Sequence, residues 1–217
     1  MKTLRHTPVL AIFVLLLMTA CQEPAVEATS RPEAPVAETA TPATRTASSI
    51  VIETPDDQEV VVLHLEGDPH IEMGGQALRS ERKGDKRKYY LEGGGQVAEV
   101  KYKDDSFKVR TPSADLLWKI KLYDDKVKIS DNEENLNPYT LRPREDDRVK
   151  VKLDPDDIGQ INFYRDESRI KVKDATDAER FASHTDRYSA AYGVLLMDNI
   201  PAQEKYIIMA ELMAMGR

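Results

Sequence analysis

The sequence predicts a mainly β protein: an antiparallel meander of about ten to twelve strands, followed by an apolar helix near the C-terminus. Three observations lead there. A motif of two short apolar-alternating segments around an acidic turn recurs about every twenty residues. Lysine and arginine fill the positions between the apolar ones. The last stretch abandons alternation for a nearly continuous apolar run.

The repeat is clearest in the middle of the chain. Val100-x-Tyr102 is followed, past Asp104-Asp105, by Phe107-x-Val109. Ile120-x-Leu122 is followed, past Asp124-Asp125, by Val127-x-Ile129. Ile161-x-Phe163 is followed, past Asp166-Glu167, by Ile170-x-Val172. A degenerate copy runs from Tyr139 and Leu141, past Asp146-Asp147, to Val149-x-Val151. Period-two segments separated by a short polar turn form β-hairpins. Asp suits the turns because its side chain bonds nearby backbone and tolerates left-handed conformations. Lys101, Lys103, Lys108 and Arg110 occupy the other face of the first copy, and Lys119, Lys121, Lys126 and Lys128 that of the second. One dry face and one wet face describe an antiparallel sheet solvated on one side. Glu59 to His64, Ile71 to Met73 and Lys88 to Glu92 read as further strands, and Gly93-Gly94-Gly95 as a turn between strands.

The C-terminal third changes character. Thr176-Asp177-Ala178-Glu179 fits a capping box and is expected to start a short helix, which places His184 in a linker between helices. Tyr188 to Met197 is nearly all apolar. Pro201 suits a helix start, Gln203 to Met215 reads as a helix, and Gly216 as its stop. A helix apolar nearly all round is buried in protein or in membrane. The polar break from Asp198 to Lys205 leaves two runs of about ten residues, each short of the roughly 20 a span requires. The helix is therefore expected inside the protein.

The hairpins from Val97 to Lys173 together with the helix from Gln203 to Met215 resemble the tubby C-terminal-like fold, shared by the LURP-one and phospholipid-scramblase groups. That resemblance implies a closed or nearly closed barrel around the C-terminal helix. Closure would also remove the exposed edges that a meander otherwise leaves. A rival architecture, a half-open barrel plugged on one side by helices, resembles outer-membrane lipoprotein-sorting factors and implies a cavity for acyl chains.

The N-terminus has its own signature. Lys2 and Arg5 precede ten apolar residues, Val9 to Met18, and Met18-Thr19-Ala20-Cys21 ends the stretch. A basic start, a short apolar run and small residues before a cut make a secretory signal. The four residues resemble the lipobox of bacterial lipoproteins, with Met18 where Leu is commoner. That resemblance implies cleavage before Cys21 and lipidation of Cys21, so that the protein's partner is the membrane itself. One acyl chain binds a bilayer only marginally, so stable anchoring requires several. By the sorting pattern of such lipoproteins, Gln22 rather than Asp after the cysteine favours the outer membrane, facing periplasm or surface. The chain thus divides into a signal at 1–20, the lipidated cysteine and a tether at 21–49, and a folded domain at 50–217. The tether is rich in Pro, Ala, Thr, Glu and Ser and has no aromatic residue, a composition that cannot offset chain entropy by burial. Fully extended, it would reach ~85 Å.

Several functions are disfavoured. Cys21 is the only cysteine, so a lipidated protein has no disulfide, thiolate ligand or cysteine nucleophile. The formal charge is −7, and Val97 to Lys173 holds as many acidic as basic residues, so nucleic acid is not an expected partner. The lysine face reads as a solvated strand face neutralised by its acidic turns. His64, Glu66, Asp68, His70 and Glu72 alternate, and on one straight strand they would share a face able to hold zinc. Gly67-Asp68-Pro69, however, is expected to break that strand into a turn, so no metal and no cofactor is assigned. No nucleophile elbow or phosphate-cradling glycine loop is present, and no catalytic residue is assigned. Trp118 is expected in the core. The expected function is a non-enzymatic binding or scaffold module in the cell envelope, meeting an envelope protein. The alternatives are a carrier of lipid or another amphipathic ligand inside the barrel, for which Met-rich apolar surface is suited, and a metal-dependent hydrolase. No particular ligand-binding residue follows from the sequence.

Overall fold

A computed structural model describes residues 49–217. The signal, Cys21 and nearly all of the tether lie outside the described residues. Fourteen strands run in chain order among the described residues: β1 (Ser49–Glu53), β2 (Glu59–His64), β3 (His70–Met73), β4 (Gln76–Lys83), β5 (Lys86–Leu91), β6 (Gln96–Lys103), β7 (Ser106–Arg110), β8 (Leu116–Leu122), β9 (Val127–Ser130), β10 (Tyr139–Pro143), β11 (Arg148–Leu153), β12 (Asp156–Tyr164), β13 (Arg169–Asp174) and β14 (Glu179–His184). Each pairs antiparallel with its sequence neighbours, and β1 pairs with both β2 and β14, which closes the barrel. The closing ladder aligns Glu53 with Ala182, and the Ser183 hydroxyl donates to the Val51 carbonyl across it at 2.7 Å.

The four repeat copies are the hairpins β6–β7, β8–β9, β10–β11 and β12–β13. Their alternation decides which side chains point inward. Val100, Phe107, Val109, Ile120, Ile129, Leu141, Val151, Ile161 and Ile170 are fully buried, with charged neighbours outside. Trp118 is buried as expected, and its indole N–H donates to Glu204 on the central helix.

Two expectations are corrected. Thr176 to Glu179 does not start a helix. The Asp174 carboxylate accepts bonds from the Thr176 N–H at 2.9 Å, its hydroxyl at 2.7 Å and the Ala178 N–H at 3.2 Å, which folds a hairpin turn with Asp177 left-handed at φ 66°. Glu179 then heads β14, paired with Arg169 at 3.3 Å and Lys171 at 2.8 Å on β13. His184 is consequently the last residue of that strand, opposite Arg169, and not part of a helix linker. The strand count exceeds the expectation by β1, β4 and β14; β4 and β14 carry little alternating apolar sequence, and β1, which buries Ile50 and Ile52, is short and stands at the start of the folded domain. In β4 only Leu78 and Ser80 are buried.

The interior is filled by the C-terminal segment. Ala190–Leu196 forms a 3-10 helix, buried at every residue and capped where the Ser189 hydroxyl accepts from the Ala191 N–H. It packs toward β10, β11, β12 and β13. Gly193 is required there, since a Cβ would strike Leu141 and stand 2.9 Å from a Val151 methyl. The α-helix α1 (Ala202–Ala214) follows Pro201 and buries Tyr206 through Met213. Gly216, at φ 71°, and Arg217 close it, the latter donating its N–H to the Leu212 carbonyl. Burying each large apolar side chain contributes about 1.5–3 kcal/mol, which explains how a protein without disulfides holds this shape. Among the described residues no helix is long and apolar enough to cross a membrane.

Candidate functional site

Polar groups cluster at two places, one inside the barrel and one outside. The inner cluster centres on Glu211, the one acidic side chain on the buried stretch of α1, at 1% exposure. Arg87 of β5 donates Nη1–H to both of its carboxylate oxygens, at 3.2 and 3.1 Å. The Tyr89 hydroxyl donates to Oε1 at 2.8 Å and the Tyr102 hydroxyl to Oε2 at 2.6 Å. Arg87 also donates Nη2–H to Asp68, in the turn between β2 and β3, at 3.3 Å. Burial opposes the Arg87 charge, but Glu211 and the two tyrosines outweigh it and hold the guanidinium above its ordinary value. Burial, then Glu211, pushes both phenols far above theirs. The Glu211 carboxylate is bonded by three donor side chains and shut from solvent, which ties α1 to β5 and β6. Sequence reading missed these residues. The available signal was a single acid within an apolar helix and an arginine at an inward position of a strand.

The outer cluster lies on the hairpin of β2 and β3. Gly67-Asp68-Pro69 does make a turn, but the turn brings the histidines together. His64 and His70 are direct cross-strand partners. Their rings stack with centroids 5.4 Å apart and planes 22° from parallel. Glu72, two residues along β3 on the same face, places Oε1 3.0 Å from His64 Nε2. One ligand atom from each of the three lies within 4.8 Å of the others, the arrangement among the described residues that could hold a metal ion. His70 and Glu72 border an outer groove of about 860 Å³, which reaches the Gly74-Gly75 and Gly93-Gly94 turns. Of the other alternating residues, Asp68 is drawn away by Arg87. His184 stands apart on β14.

Comparison with family models, curated proteins and solved structures finds no match for this chain.

The lysine face is largely neutralised. Lys108 Nζ–H donates to both carboxylate oxygens of Glu133 at 2.6 Å, Arg110 and Lys119 stand nearby, and the Lys108 hydrogen bond holds the Glu133 carboxyl below the ordinary value. Asp157 pairs Lys150 and Lys152, and Asp125 pairs Lys126 and Arg142. Lys121 and Lys128 face each other across β8 and β9. The acidic residues that hold the turns therefore also quiet most of the basic strands, which argues against a strongly cationic surface.

Proposed function

We propose that the protein is a bacterial lipoprotein, held on a membrane by lipid on Cys21, whose barrel is a non-enzymatic module that binds an envelope component through its outer surface. The observation that carries this reading is the filled interior. Tyr192, Val194, Ile207, Ile208 and Met209 are fully buried among the inward strand residues, so the space an acyl chain would need is taken by the protein's own C-terminal segment. Recognition is left to the outside, where rigid strands present ordered side chains. The tether's composition supports the same reading, since it can hold such a module away from the lipid headgroups.

Cys21→Ser tests the anchor. It is expected to abolish incorporation of radiolabelled lipid and to release the protein in soluble form. Unchanged membrane retention would overturn the anchor. Native mass spectrometry of the released variant tests the module: the bare chain mass is expected, and a lipid travelling with it would favour a carrier instead.

A further inference from the structure

We propose that His64, His70 and Glu72 are the protein ligands of a single divalent transition-metal ion of the zinc class, bound on the outer face of the β2–β3 hairpin with a water in the fourth position. The residues are the three donors identified above, and the chemistry follows from their type and placement. Two imidazoles and one carboxylate form a three-ligand set that leaves one position of a tetrahedral zinc open. Imidazole selects zinc, copper or nickel over magnesium or calcium, which prefer all-oxygen ligands. Zinc–ligand bonds of about 2.0–2.2 Å place tetrahedral ligand atoms roughly 3.3 Å apart. Ligand atoms within 4.8 Å of one another stand within about 1.5 Å of that spacing.

The scaffold favours the site. Val61, Leu63 and Ile71, on the opposite face of the same two strands, are fully buried and fix the hairpin. His64 is about one-third exposed and Glu72 half exposed, so an ion can enter. Arg79 on β4 is the cross-strand partner of His70. Its guanidinium is turned elsewhere, bonded to Glu81 at 2.5 Å and stacked over Tyr90 at 4.7 Å. Arg87 is likewise committed to Glu211 and Asp68. No cation among the described residues is paired with Glu72 other than His64.

The test uses the full chain, stripped with EDTA and then dialysed against zinc, with bound metal counted by mass spectrometry. One zinc per chain is expected. Loss of a supporting group around a metal site already costs 10–100-fold in affinity, so His64→Ala and His70→Ala, which remove ligands outright, are each expected to weaken binding by about 100-fold. Glu72→Gln should weaken it less, and His184→Ala should leave it unchanged. Cobalt provides a second readout: a tetrahedral visible absorption spectrum is expected from the parent and not from the His64→Ala, His70→Ala double variant. These side chains face outward, so circular dichroism should show every variant folded. A parent that retains no zinc, or a double variant that retains it equally, would overturn the site. The outcome is independent of the anchor at Cys21.

Discussion

Glu211 shows what a single residue can impose on this protein. A buried carboxylate and a buried guanidinium each carry a large desolvation cost, and removing one partner leaves the other charge stranded. Glu211→Gln is therefore expected to lower unfolding free energy by about 3–5 kcal/mol, measured by urea denaturation. Replacing the whole network, Arg87→Met with Glu211→Leu, Tyr89→Phe and Tyr102→Phe, should recover most of that loss, because no uncompensated charge and no orphaned hydroxyl remains. Neutral recovery would show that the buried pair adds little net stability. The same environment shapes the alkaline response. Tyr89 and Tyr102 keep their protons in the folded state well above the ordinary phenol value of 10.0, through burial first and Glu211 second. Burial raises Tyr192 and Tyr206 as well. A raised folded value means a contribution fully present below pH 10.0 and lost as the pH climbs above it, because the unfolded chain then releases protons that the folded chain retains. Stability should therefore fall steadily above about pH 10, and ultraviolet titration should show these phenolates appearing only as the protein unfolds. Phenolate formation in full at that pH, with structure intact, would contradict the network.

At the scale of elements, strands were legible where alternation was strong and hidden where the ladder alone holds them. The hairpins β6–β7, β8–β9 and β12–β13 carry inward apolar residues at every second position, and their acidic turns mark the reversals. β4 carries mostly polar and charged side chains, and only pairing with β3 and β5 on either side makes it a strand. β14 carried a misleading local signal. Thr176 and Glu179 have capping-box spacing, but the acceptor that wins is Asp174, three bonds to whose carboxylate close a hairpin instead. The 3-10 helix Ala190–Leu196 depends on Gly193 fitting against β10 and β11. Gly193→Val should cost about 1–3 kcal/mol through overpacking, seen as a lower melting temperature with circular dichroism otherwise preserved. An unchanged melting temperature would mean that the segment can retreat from the wall.

The whole molecule is organised by closure. Pairing β1 with β14 joins residues more than a hundred positions apart in sequence and leaves the barrel without an open edge, the exposure that otherwise invites aggregation. Closure also creates an inside, and the C-terminal segment fills it. Met and Tyr side chains, which would suit an adaptable apolar site, are packed between α1, the 3-10 helix and the wall. The outside is correspondingly the surface available for function, with the histidine hairpin and its groove on one part and balanced lysine–acid ladders on another. A barrel with a filled interior and a chemically distinct outer patch is the physical picture on which both proposals rest.

Local chemistry determined the mainly β class, most hairpin turns, the outward lysines and the dryness of the last helix, because period-two alternation, turn residues and continuous apolar runs all act within about ten neighbouring positions. Tertiary structure alone decided the closing seam between Glu53 and Ala182, the partnership of Arg87, Tyr89 and Tyr102 with Glu211, and the meeting of His64, His70 and Glu72. Each of those depends on which strand lies beside which and in what register. A one-residue slip would turn the same side chains to the opposite face, so nothing short of the assembled barrel fixes them.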